Sequence, residues 1–348
     1  MPPIVHLTPT PAAWMEAPAQ FASLASGLAW VLRLALLLQV CGAAVKYLFT
    51  QYEVETPLFG LLAFEWLWPE QRVQRIDDAA VWLNLACGVA VVVLALAAVA
   101  WSGATGRASF VQRWTFVWQA PLLLAPLLFE LALATASTIR LENFQPPRYI
   151  SAGTMFESIE AWLMTDFVSH AGRIALPVAL LLLTPLPGRM QITAGAFHAA
   201  MWLVRIAAAL TFVAHGLKAV YLNFIFVDYI LAASQTLLGY DMAQSTAETV
   251  LRIIGYVDLL VAILLVAGRF RSVAVYMAAW GLITAASRVV YGGGGQYFEV
   301  LIRAANYGLP LVAAIYFFWI HKHVSSFRSN EGENDNVQET DEDPTDKS

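Results

Sequence analysis

Cysteine is almost missing from this chain, with two in 348 residues, Cys41 and Cys87, each inside an apolar run. That excludes a disulfide scaffold and a cysteine-based zinc site. Charge is also scarce, at 13% of residues, about half the share of a water-soluble domain. A basic face is lacking too. The net charge of −5 comes from residues 327–348, with eight acidic and two basic side chains, which leaves 18 basic against 17 acidic before them. Nucleic acid is therefore excluded as a partner, since it requires a basic surface. Residues 1–25 contain no Lys or Arg, so the basic opening of a secretory signal is absent, and the first hydrophobic helix is expected to stay as a signal anchor.

What is present is apolar length. Hydrophobic residues make up 59% of the chain and its mean hydropathy is +0.62. A bilayer crossing takes about 20 mostly apolar residues, and eight stretches qualify: Gly27–Phe49, Ala79–Trp101, Trp114–Ala136, Asp166–Leu183, Ala199–Leu222, Thr249–Ala267, Val273–Tyr291 and Ala304–Ile320. The expected fold class is an all-α, polytopic membrane protein whose partner is the lipid bilayer. The connections after spans two, four and six are short and carry Arg107, Arg113, Arg189, Arg269 and Arg271, whereas the others hold most of the acids. Basic residues are retained inside, so both termini are expected on the cytoplasmic side. Leu58–Trp68 is too short to cross and is expected along the interface. Residues beyond Arg328 are nearly devoid of apolar side chains and are expected to be a disordered tail.

The chain also repeats itself. Trp30, Arg33, Ala35, Leu38 and Lys46 match Trp202, Arg205, Ala207, Leu210 and Lys218 without a gap, and the later echoes keep their order: Asn84 with Asp258, and Leu176-Pro177-Val178 with Leu309-Pro310-Leu311. The expected organisation is an N-terminal segment (1–26), two four-helix repeats (27–190 and 199–321) and an acidic tail (322–348). Repeats with an even number of spans share one orientation. Paired broken helices marked by matched Gly or Pro interruptions, as in many transporters, are not evident.

Each repeat resembles the four-helix unit of the DoxX-like family. The resemblance rests on Arg205, the run His215-Gly216-Leu217-Lys218, and the stretch from Phe298 to Pro310. The first repeat departs from it, with Ala43 and Ala44 at the places of His215 and Gly216. The resemblance implies a bacterial inner-membrane protein within, or supporting, a quinone- or thiol-linked redox complex, with quinone as the implied cofactor. The family is named for a subunit associated with thiosulfate:quinone oxidoreduction, and most members have no assigned reaction.

Ionisable side chains inside a membrane cost about 2.5–3.5 kcal/mol at its centre, so they mark the candidate site. His215 and Lys218 share a helix face, and Asp258 falls at a similar depth, which makes a His–Asp or Lys–Asp pair geometrically feasible. Arg288, Glu299, Arg303 and Asn306 lie at or just above that level. These seven residues form a candidate polar pocket, either a site for an anion or polar headgroup or a proton-coupled redox centre. Ion pairing between helices is the structural alternative. Arg33 and Arg205 are expected to anchor to lipid phosphates. Cys41 and Cys87 form a conceivable thiol pair, although packing is the commoner role of small buried cysteines. The function classes that remain open are a redox subunit, a small-molecule or lipid transporter built from two parallel repeats, and a non-catalytic scaffold.

Overall fold

The computed structural model describes residues 18–49, 55–105, 108–139, 162–184 and 192–338, and among them every regular element is helical. In chain order the helices are α1 (Pro18–Ala44), α2 (Pro57–Gly60), α3 (Glu70–Thr105), α4 (Ala108–Ile139), α5 (Asp166–Ser169), α6 (Ala171–Leu182), α7 (Ala194–Val220), α8 (Phe224–Leu238), α9 (Gln244–Ala267), α10 (Arg271–Gly292), α11 (Phe298–Ile302) and α12 (Ala304–Gln338). A π-helical turn, Val45–Phe49, prolongs α1, and another, Leu61–Glu65, follows α2.

Six of these helices are long and apolar enough to cross a bilayer, and a seventh crossing arises if the bent pair Gly294–Ile302 and Ala304–Lys322 is one span. The difference from eight lies at the expected fourth span. There the chain breaks at His170 and leaves α6 with 12 residues, too short for about 30 Å of hydrocarbon at 1.5 Å per residue. The helix α8, 15 residues long and apolar, appears where the sequence suggested only a connection. Its ends explain its shortness. Asn223 accepts a hydrogen bond from the Ile225 amide at 3.2 Å, and at the other end Gly239 adopts φ +63°. That left-handed residue sends its N–H to Gln235 O, while the Tyr240 N–H returns to Ser234 O, the paired closure that glycine permits after a helix.

The final helix continues through Gln338, past the point where the composition suggested disorder from residue 322. Glu, Asn and Gln carry an existing helix onward because propagation needs no new nucleus. At the other end, α1 is described from Pro18, nine residues before the expected first span.

The centre of the bundle is built from α1, α6, α7 and α12. Leu28, Leu32 and Leu36 of α1, Leu176 and Leu180 of α6, Phe197 and Val204 of α7, and Leu309 and Phe317 of α12 are all fully buried in one cluster. Between apolar helices in lipid the driving force is close packing rather than exclusion of water, and small residues set the approach. A Cβ added to Gly255 of α9 would stand 2.7 Å from Gly216 O of α7, so these two backbones touch. Around the core lie α3, α4, α9 and α10, whose exposed Leu, Ile, Val and Trp side chains face outward as a lipid-facing belt.

Near the start of α3, the Thr56 hydroxyl donates to the Asp77 carboxylate and also accepts the Phe59 amide, pinning the short α2. The following Trp66 and Trp68 are exposed and pack on each other with ring centroids 6.3 Å apart, as suits a segment along an interface.

Candidate functional site

Two helix breaks shape the site. At His170 the chain turns from α5 into α6 with φ −90° and ψ 4°, and at Arg303 it turns from α11 into α12 with φ −92° and ψ 17°. The second break bends the helix axis by 49°. Neither break uses glycine or proline, which is why no interruption was legible in the sequence. The two breaks occupy matching places: the spacing from His170 to Arg303 is also that from Asp166 to Glu299 and from Pro177 to Pro310.

Between the breaks lies a cavity of about 820 Å³. Its wall includes Lys46 and Lys218 from the ends of α1 and α7, Asp166 and His170 from the first break, Glu299 and Arg303 from the second, and Arg173, Arg288, Tyr47 and Tyr229. Lys218 Nζ stands 3.0 Å from Asp166 Oδ1 and donates to Ser169 Oγ at 3.0 Å. Lys46 Nζ stands 3.1 Å from Glu299 Oε1. Each lysine thus reaches the acid just before the break in the other half of the chain.

Glu299 is the hub, because Arg303 pairs with its second oxygen and Arg288 Nε approaches that oxygen at 3.8 Å. Arg173 is buried and faces Glu130 at 3.9 Å, while Gln39 donates to the same carboxylate at 3.0 Å. Among the described residues, five Lys and Arg side chains line the cavity against three acidic ones, Glu55, Asp166 and Glu299. Setting aside the Lys218–Asp166 and Arg173–Glu130 pairs leaves Lys46, Arg288 and Arg303 against Glu55 and Glu299. The described wall is therefore electropositive, and α6 and α12 both begin at it, adding the positive ends of their dipoles.

A second cavity of about 220 Å³ adjoins the first, and His215, Phe226, Tyr229, Arg288, Arg303 and Asn306 belong to both walls. Its remaining lining is mainly apolar, from Phe212, Ile230, Leu251, Ile254 and Ile283, with Asp258, Trp280 and Thr284 among them.

All seven predicted pocket residues line one cavity or the other, but not with the expected partners. His215 donates from Nδ1 to Thr211 O at 2.8 Å, one turn back on its own helix, and stacks on Phe226. Asp258 Oδ1 has no hydrogen-bond partner, so the His215–Asp258 pair does not form. Lys218 turns instead to Asp166, which the sequence reading placed at a span boundary and passed over. Glu130 and Arg173 were also missed as a pair. Extending the repeat alignment backward from the Leu-Pro motifs would have matched Asp166 to Glu299.

Arg33 and Arg205 point inward, correcting the lipid-phosphate reading. Arg205 donates to Leu265 O at 3.1 Å, Val266 O at 2.7 Å and Gly268 O at 2.8 Å, satisfying the carbonyls that end α9. Arg33 reaches Gln119 at 3.5 Å, and each arginine lies over the tryptophan three residues before it, at 5.1 Å and 4.3 Å. Cys41 and Cys87 are free, half-buried thiols. Among the described residues no group of three His, Cys, Asp or Glu side chains is placed to hold a metal ion. Compared with protein-family models, curated proteins and solved structures, the chain has no match among the families, none among the curated proteins and none among the structures.

Proposed function

We propose that this membrane protein takes up an anionic ligand in the cavity between its two broken helices, as a carrier of small molecules or lipids built from two related halves. The observation that carries the reading is the excess of Lys46, Arg288 and Arg303 over Glu299 and Glu55, among the described residues, at a wall where two half-helices begin. Paired discontinuous helices whose N-termini face a shared cavity are how many carriers hold anionic groups. A buried cation without full compensation costs free energy that a bound anion repays.

Support for a tandem duplication, and with it the DoxX-like reading of each half, comes from the matched breaks, the reciprocal lysine–acid pairs and the two arginine–tryptophan contacts at equivalent positions.

Inorganic phosphate is the simplest probe of the anionic group. Titrated calorimetrically into the full chain in detergent, it is expected to bind, and Arg288→Gln is expected to weaken it about tenfold, the equivalent of about 1.4 kcal/mol for one charge-assisted contact. Absence of phosphate binding to the folded, unsubstituted chain would overturn the proposal.

A further inference from the structure

The small cavity gives the ligand more definition than a charge. It holds three polar atoms without hydrogen-bond partners: Asp258 Oδ1, Trp280 Nε1 and Asn306 Oδ1. Trp280 faces the Asp258 carboxyl, yet no hydrogen bond closes between them. Asp258 is 5% exposed and sits on a helix whose neighbouring turns are apolar. Leaving such groups unsatisfied costs about 1–3 kcal/mol each, so the small cavity is a place where a polar ligand group gains by bonding to them. Of these, one acceptor and the donor suit a hydroxyl, which donates its single proton to a carboxylate oxygen and accepts from an indole N–H.

The surroundings define the rest of the ligand. On one side the small cavity is continuous with the cationic wall of Arg288 and Arg303. On another it reaches the belt through Ile283, which lines it and is 55% exposed on the outer face of α10. Ile230 and Ile254 continue the apolar path. A group entering there passes from lipid to apolar wall, then to hydroxyl partners, then to arginine.

We infer that the ligand is an anionic amphiphile: its charged head lies against Arg288 and Arg303, a hydroxyl beside the head donates to Asp258 and accepts from Trp280, and its chain leaves past Ile283 into the bilayer. This deepens the anion-binding proposal and rests on it. The inference goes beyond an anion site because it specifies an order of three chemistries along one path.

Three probes separate the possibilities in the full chain in detergent: inorganic phosphate, 1-octanoyl-glycerol 3-phosphate, and its analogue lacking the 2-hydroxyl. The acyl phosphate is expected to bind at least 30-fold more tightly than phosphate, and the deoxy analogue about tenfold less tightly than the acyl phosphate. Ile283→Trp, a change at an exposed position, is expected to weaken both amphiphiles tenfold or more and leave phosphate unchanged. Asp258→Leu is expected to abolish the difference between hydroxylated and deoxy probes. Intrinsic fluorescence melts identify any variant that fails to fold, and the comparison of three probes on the unsubstituted chain needs no variant.

Equal binding of phosphate and acyl phosphate would overturn the amphiphile inference while leaving the anion site standing. Failure of all three would remove both. Tight amphiphile binding indifferent to Ile283→Trp and to the hydroxyl would identify adsorption to the belt and equally overturn it.

Discussion

Lys218 ends α7, yet its ammonium group sits 3.0 Å from the Asp166 carboxylate of the preceding half. The same cross-connection recurs between Lys46 and Glu299, at 3.1 Å, in the reverse sense. Two long side chains are thereby held at the rim of one cavity, and each fixes the short helix that precedes a break. The ions do structural and electrostatic work together: they locate the broken helices and set the charge of the space between them.

If the first pair acts as a unit, its two members are coupled energetically. Lys218→Met and Asp166→Asn are each expected to lower stability by about 1–3 kcal/mol. The double variant should lose about 1–2 kcal/mol less than the sum, the size of coupling seen for contacting residues. Thermal melts of the four proteins in one detergent measure this, and simple additivity would show that the pair contributes nothing as a pair.

Glu299 holds three cations, and its loss leaves them facing one another. Glu299→Gln is expected to cost about 3 kcal/mol, in the range for breaking a buried ion pair. The same change makes the cavity more positive, so saturating phosphate should raise the melting temperature of Glu299→Gln more than that of the unsubstituted chain. A smaller phosphate effect in the variant would argue against the cavity as the anion site.

Arg205 closes the end of α9 by donating to three carbonyls from a planar, forked group. A lysine ammonium keeps the charge but cannot span the same three oxygens. Arg205→Lys is expected to destabilise by about 2 kcal/mol, one to two hydrogen bonds from a charged donor. Hydrogen exchange should localise the loosening to the Leu265–Gly268 end, whereas a uniform increase would refute this assignment.

The contact between Gly216 and Gly255 predicts a steric threshold. Gly255→Leu forces α7 and α9 apart against backbone atoms that cannot rotate away, and is expected to cost about 3 kcal/mol, at the top of the overpacking range. At Gly195, where an added Cβ meets nothing within 4 Å, Gly→Ala is expected to be neutral or slightly stabilising. Melting of the two variants side by side separates crowding from the backbone effect of losing glycine.

Much of this architecture was legible in hydropathy, because a continuous apolar run of sufficient length has few fates other than a membrane helix. The breaks were not. His170 and Arg303 interrupt their helices with ordinary residues, so the signal lay in the repeat register and not in local propensity. The polar site was legible in membership but not in pairing. Distance along a helix gave His215 and Asp258 similar depths, yet depth says nothing about azimuth, and a free carbonyl at Thr211 already satisfied the imidazole. Asp166 escaped notice because an acid at the start of a helix is common enough to look like a cap.

The exchange of lysines across the two breaks has a consequence for how such a chain is assembled. A polypeptide severed between α6 and α7 gives two fragments, one carrying Lys46 with Asp166 and the other Lys218 with Glu299. Lys46, Asp166 and Lys218 each lose the partner that neutralises them, while Glu299 keeps Arg288 and Arg303. The two fragments are expected to pair when expressed together, each supplying a charge that the other lacks.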